Sequence, residues 1–181
     1  MQSRKQPEPS LDRGLLMMIG FRKKLSTLIR PLTTDDAHAC SKIHAQSFKR
    51  GWTASEFQQL ILDSNVFSDG CFDSGKPLLA VKVPMYGFAI SRLIAGEAEI
   101  LTIAVDPSAR GSRIATAILT DHIGALRLAG CQKLFLEVAE DNAAALSLYR
   151  AFNFRKVGER PEYYGGPGEK QVNAHILLLD M

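Results

Sequence analysis

The sequence predicts a mixed α/β fold, one mixed sheet with helices on both faces. Three observations lead there. Residues 101–105 and 134–138 are near-continuous apolar runs, the pattern of strands covered on both faces. Each run is followed by a turn and then by apolar residues at helical spacing, which places helices against the sheet. The chain has 181 residues, 46% hydrophobic and 23% charged, which suits a single packed domain and excludes a disordered or coiled-coil chain.

Residues 27–31 read as a short strand ended by Pro31. Thr33 or Thr34 caps a helix to about Gln46, with Asp35 and Asp36 in the first turn, where the helix dipole favours negative charge. Thr53-Ala54-Ser55-Glu56 is a capping box and opens a second helix over 54–63. Residues 66–76 are the least readable stretch, marked by the turn signals Asp69-Gly70 and Ser74-Gly75. Residues 78–83 and 86–94 read as strands, with Pro84 between them, and 99–105 as a central strand. Ile114, Ile118, Leu119, Ile123 and Leu126 set a helix over 113–128 that Gly130 ends. After the strand at 134–138, Asp141 or Asn142 caps a helix through Phe152, and Asn153 takes the left-handed position behind it. A strand at 154–159, a glycine- and proline-rich loop at 161–170 and a strand at 172–179 complete the order β-α-α-β-β-β-α-β-α-β-β.

Charge is unevenly placed. The chain carries 22 basic and 19 acidic residues, a net +3. Residues 1–30 hold seven Lys/Arg against Glu8 and Asp12, and residues 31–181 hold 15 basic against 17 acidic residues. The body is therefore slightly acidic, and a nucleic-acid partner is disfavoured. Residues 1–26 read as a flexible basic extension, and 27–181 as the folded domain. The apolar run of seven residues at 15–21 precedes Arg22-Lys23-Lys24, the reverse of a secretory signal, and no run approaches the ~18–20 residues of a membrane span. Cys40, Cys71 and Cys131 are widely spaced, which fits small core hydrophobes in a reducing, cytoplasmic setting. His38, Cys40 and His44 lack a second ligand group at metal spacing, so no metal is expected and the imidazoles read as surface groups.

Three features carry chemistry. The turn Arg110-Gly111-Ser112-Arg113-Ile114-Ala115 follows an apolar strand and opens a helix, so free N–H groups and two arginines could meet an anion. Glu137 interrupts an apolar strand. A buried carboxylate is costly unless paired or protonated, and a raised pKa would suit a general base; an ion-paired glutamate is the plainer alternative. Asn142 and Tyr149 lie two turns apart on one helical face. A phenol with its ordinary pKa of ~10 can give a proton to a leaving thiolate; its alternative is a core aromatic.

Together these features make the chain resemble the GCN5-related N-acetyltransferase (GNAT) family over residues 27–181. That family's acyl-CoA loop has the form Arg/Gln-x-x-Gly-x-Gly/Ala. Arg110 and Ala115 fit its ends, and Arg113 stands where glycine is usual. Within the family the chain is most similar to the RimI-type ribosomal-protein-alanine acetyltransferases. The matching segments are Gly96-Glu97-Ala98-Glu99, Ile103-Ala104-Val105-Asp106-Pro107, Leu136-Glu137-Val138, and Asp141 to Leu146 with Tyr149. Tyr163-Tyr164 and Trp52 match as well, and Phe152-Asn153-Phe154 replaces Leu-Gly-Phe.

The resemblance implies the GNAT acyl-CoA N-acyltransferase fold and acetyl-CoA as co-substrate. The acceptor it implies is a protein N-terminus, the alanine of a small-subunit ribosomal protein. It also implies roles. Ile103, Ala104 and Val105 offer backbone groups to the acetyl carbonyl and pantetheine arm. Gly111, Ser112, Arg113, Ile114, Ala115 and Thr116 hold the pyrophosphate beside Arg110, and Asn142 binds the CoA arm. Glu137 is the general base and Tyr149 the general acid, with Glu99 the rival base. Trp52, Tyr163 and Tyr164 line the acceptor groove or serve as packing aromatics. An α-ammonium of pKa ~8 must lose its proton before it attacks, which is why a base is needed. The competing readings are the same chemistry on a small-molecule amine or lysine, and a non-catalytic CoA-binding module.

Overall fold

A computed structural model describes residues 26–75, 83–165 and 171–181. Seven strands form one sheet: β1 (Thr27–Pro31), β2 (Val66–Asp73), β3 (Met85–Ile94), β4 (Glu97–Val105), β5 (Lys133–Ala139), β6 (Arg155–Tyr164) and β7 (Val172–Asp180). Their spatial order is β1-β2-β3-β4-β5-β7-β6. Only β4 and β5 run parallel; every other neighbour is antiparallel.

Helices α1 (Ala37–Ala45) and α2 (Ala54–Leu62) cover one face. There Cys40, Ile43 and Phe57 bury against Phe72, Phe88 and Ile90. Helices α3 (Ile114–Leu128) and α4 (Ala143–Ala151) cover the other, where Leu119, Ile123, Leu126 and Tyr149 meet Leu134, Leu136, Leu177 and Leu179. The periodic residues read from the sequence are the ones that bury. The caps also stand where expected. Glu56 Oε2 accepts from the Thr53 N–H at 2.7 Å, Asn142 Oδ1 accepts from the Ala145 N–H at 3.1 Å, and Gly130 and Asn153 follow their helices with φ of 83° and 66°.

Three local expectations need correction. Residues Val66–Asp73 are a full strand, not a run of turns. The dipeptide Asp69-Gly70 misleads because both residues answer to distant partners. A Cβ at Gly70 would lie 2.6 Å from Leu32 Cδ2 and 2.7 Å from the Phe72 ring, so the glycine serves close packing. Asp69 is buried, and its Oδ2 lies 2.6 Å from His122 Nδ1 on α3. His122 Nε2 lies 2.7 Å from Ser91 Oγ on β3, so the three side chains form one buried polar chain. A carboxylate survives inside a strand because this partner satisfies it. Secondly, β6 runs on through Tyr164, where a loop was expected from 161; its register skips between Arg160 and Tyr164, and Glu162 adopts φ 52°. Thirdly, His44 is not a surface imidazole. It is 3% exposed and stacks between Phe48 and Trp52 with centroids 4.3 and 4.7 Å away. The strand expected at 78–83 falls outside the described residues except for Val83, which is not in a strand. The extension at 1–26 falls outside them except for Ser26.

All three cysteines are free and buried, as core residues. Burial pushes the Cys40 thiol up to about 12 and Cys71 to about 11, so neither is a thiolate near neutral pH. No helix among the described residues is long and apolar enough to cross a membrane.

Candidate active site

The sheet opens at its one parallel junction. β4 and β5 pair from Glu97↔Lys133 to Ile100↔Leu136, and there the ladder stops. Beyond that rung β4 stays paired with β3 through Val105, and β5 stays paired with β7 through Ala139. The cause lies in β4. Its register against β3 shifts so that Ile90 faces Thr102 and Ser91 faces Ile100, leaving Leu101 as a bulge. A bulge bends the strand that carries it. The result is a wedge whose two arms are residues 101–105 and 137–139. Peptide groups of β4 that would have bonded β5 face this wedge instead.

The side chains of Ile103, Ala104 and Val105 are committed to packing on the two faces of the sheet. What they leave to the wedge is backbone.

One arm of the wedge leads to the N-terminus of α3. Gly111 has φ 72° and Arg113 φ 61°, the Ser112 N–H donates to the Ala109 carbonyl at 3.3 Å, and the first turn of α3 has no intrahelical acceptors for its N–H groups. Arg113 is exposed and occupies the left-handed conformation that favours glycine, and Ile114 behind it is buried and anchors the helix. Ser112 and Ala115 are half-buried and Thr116 is exposed. Arg110 Nε donates to the Val105 carbonyl at 3.2 Å, and its Nη2 donates to Ser47 Oγ at 3.1 Å. Arg110 thus ties the end of β4 to the segment between α1 and α2. An extended ligand with amides along its length and an anionic end fits this wedge and turn.

The other arm carries Glu137, the first β5 residue past the last rung, whereas Glu99 lies one residue short of it and is exposed. Both stand on the α1–α2 face, since Glu99 pairs with Phe135 and Phe135 shares its face with Glu137. Glu137 is ion-paired, the plainer of the two expectations for it. Its side chain is 21% exposed and its Oε1 accepts from Arg160 Nη1 at 2.8 Å. Arg160 also lies over the Tyr163 ring, 4.0 Å from the centroid. Sequence reasoning passed over Arg160; its place three residues before Tyr163-Tyr164 was the available signal.

Tyr149 is 4% exposed and packs edge-on against Phe154. Burial first, and Tyr164 second, push its phenol well above the ordinary value assumed from sequence, so it stays protonated. Tyr164 is raised by burial and then by the charge of Glu137. Asn142 spends its Oδ1 on capping α4 and is exposed at the wedge's β5 side. Trp52 belongs to the α1–α2 cluster. Its N–H donates to His44 Nδ1 at 3.1 Å, and its carbonyl accepts from Ser41 Oγ.

Comparisons with known proteins agree with this geometry. The family model "Acetyltransferase (GNAT) family" matches residues 37–154. The chain is 34% identical over 158 residues to the N-alpha-acetyltransferase RimI of Mycobacterium tuberculosis, covering 84% of this chain and 91% of that one. It is 35% identical over 92 residues to the [ribosomal protein bS18]-alanine N-acetyltransferase of Haemophilus ducreyi, covering 51% and 63% respectively. The chain thus spans less than two thirds of the length of some curated relatives it matches. The crystal structure of the Escherichia coli ribosomal-protein-S18-alanine N-acetyltransferase superposes with TM-score 0.74 at 28% identity, covering 85% of this chain and 93% of that one. The wedge, the anion-ready turn and these matches lead to one conclusion: the chain belongs to the GNAT acetyltransferase family.

Proposed function

We propose that this protein is an acetyl-CoA-dependent N-acetyltransferase that acts on a protein N-terminus, the N-terminal alanine of a small-subunit ribosomal protein being its acceptor. The observation that carries the reading is the wedge between β4 and β5, with Glu137 one residue past its apex. Acetyl-CoA supplies an activated thioester. The wedge-facing peptide groups of residues 103–105 bind its pantetheine arm and acetyl carbonyl, and the turn from Arg110 to Thr116 binds its pyrophosphate. Glu137 takes the proton from the acceptor α-ammonium, and its position relative to the last rung favours it over Glu99. Tyr149, kept protonated by burial, gives its proton to the departing CoA thiolate, which leaves as the thiol. Asn142 lies where the CoA arm leaves the wedge, and Tyr163 and Tyr164 border the acceptor's path. Relatives named as acting on bS18 alanine support this acceptor. Incubation with acetyl-CoA and an alanine-starting ribosomal-protein peptide should release free thiol in step with acetylated peptide. No thiol release would overturn the reading, and release with lysine or small amines alone would transfer the chemistry to another acceptor.

A further inference from the structure

Glu137 does not stand open to an acceptor. Its Oε1 already accepts a 2.8 Å hydrogen bond from the Arg160 guanidinium. The Arg160 side chain is 50% exposed, against 21% for Glu137, and it projects from the irregular stretch of β6. The Tyr163 ring lies against its guanidinium, 4.0 Å from the centroid, and offers it a resting surface that does not depend on Glu137. An acceptor α-ammonium is also a cation with N–H donors, and it needs the same carboxylate edge.

We propose that Arg160 is a built-in competitor, occupying the ammonium subsite of Glu137 until the acceptor's own cation displaces it. This rests on the reading of Glu137 as the acceptor-side carboxylate. In the free enzyme Arg160 keeps the carboxylate paired. When a cationic N-terminus arrives, the guanidinium gives up its bond to Oε1 and stays against Tyr163. A neutral ligand brings no charge to replace it and is disfavoured. Arg160 is then a specificity-determining residue, and its effect lies on acceptor binding. A residue that merely aims Glu137 would act on turnover instead.

The test is steady-state kinetics of the full chain and its Arg160→Gln and Arg160→Lys variants. The acceptors are a panel of N-terminal peptides and small primary amines at saturating acetyl-CoA. Arg160→Gln should lower the acceptor KM about two- to fivefold, the scale of an exposed charge pair, with little change in kcat. Arg160→Lys keeps a competing cation and should stay near the original KM. A fall in kcat at constant KM in Arg160→Gln, or no change in either, overturns the proposal. Should the unaltered chain acetylate some other amine but not alanine N-termini, the acceptor reading fails, and the same comparison on that amine still decides the role of Arg160. No turnover on any amine overturns both.

Discussion

Replacing Arg113 by glycine and by alanine separates two things this position does. Arg113 stands at the start of α3 with φ 61° and ψ 20°. An L-residue in the left-handed region costs about 1–2 kcal/mol. Glycine escapes that cost but loses about 0.5–1 kcal/mol more backbone entropy on folding. Arg113→Ala keeps the strain and removes the charge, whereas Arg113→Gly removes both. The glycine variant should therefore be more stable than the alanine variant by about 0.5–1 kcal/mol in urea unfolding, a rise of roughly 2–4 °C in Tm at the upper figure. CoA binding should weaken equally in the two, because both lose the guanidinium. A charge-assisted hydrogen bond of about 1.5–3 kcal/mol corresponds to at least a tenfold higher Kd by calorimetry. Equal stability of the two variants would refute the strain argument. An unchanged Kd in both would show that the guanidinium does not serve the phosphates.

Three further outcomes follow from the geometry. Glu137→Gln and Tyr149→Phe should each lower kcat about a hundredfold or more while the Glu137 variant keeps its melting temperature, since that side chain is partly exposed; rates near the original would remove both from the proton path. His122→Ala should cost about 3–5 kcal/mol in urea unfolding, because it strips Asp69 and Ser91 of their buried partner; a loss under about 1 kcal/mol would show that water replaces the ring. Burial lowers the His44 pKa from 6.5, and its Nδ1 accepts the Trp52 N–H, a bond that protonation destroys. The folded state therefore favours neutral His44, so its contribution is complete above the unfolded pKa of about 6.5 and is lost as pH falls below it. His44→Gln should flatten stability between about pH 7 and pH 5, measured by urea midpoints, and an unchanged slope would contradict the assignment.

What the sequence disclosed depended on whether the cause was local. Thr53 and Glu56 fix a helix start three residues apart, and the left-handed slots at Gly130 and Asn153 follow from their own helix ends. The apolar runs at 101–105 and 134–138 declared themselves as interior strands. β2 did not, because Asp69 answers to His122 and Gly70 to Leu32, both distant in sequence. The site divides in the same way. Glu137 and the turn from Arg110 to Ala115 were visible as departures from pattern. The wedge itself was not, since it arises from a bulge at Leu101 that only the pairing with β3 reveals. The core-aromatic alternative for Tyr149 and the ion-paired alternative for Glu137 were open from the sequence, but the partner Arg160 was hidden because it lies on a strand that comes later in the chain.

The position of the transferred acetyl group tests most directly whether Glu137 serves an acceptor N-terminus. A peptide with an N-terminal alanine and one internal lysine, incubated with the protein and acetyl-CoA, can be fragmented and read by mass spectrometry. Acetyl is expected on the alanine α-nitrogen, and about a hundredfold more slowly when Glu137 is replaced by glutamine. Acetyl on the lysine side chain alone, or an unmodified peptide, would contradict it.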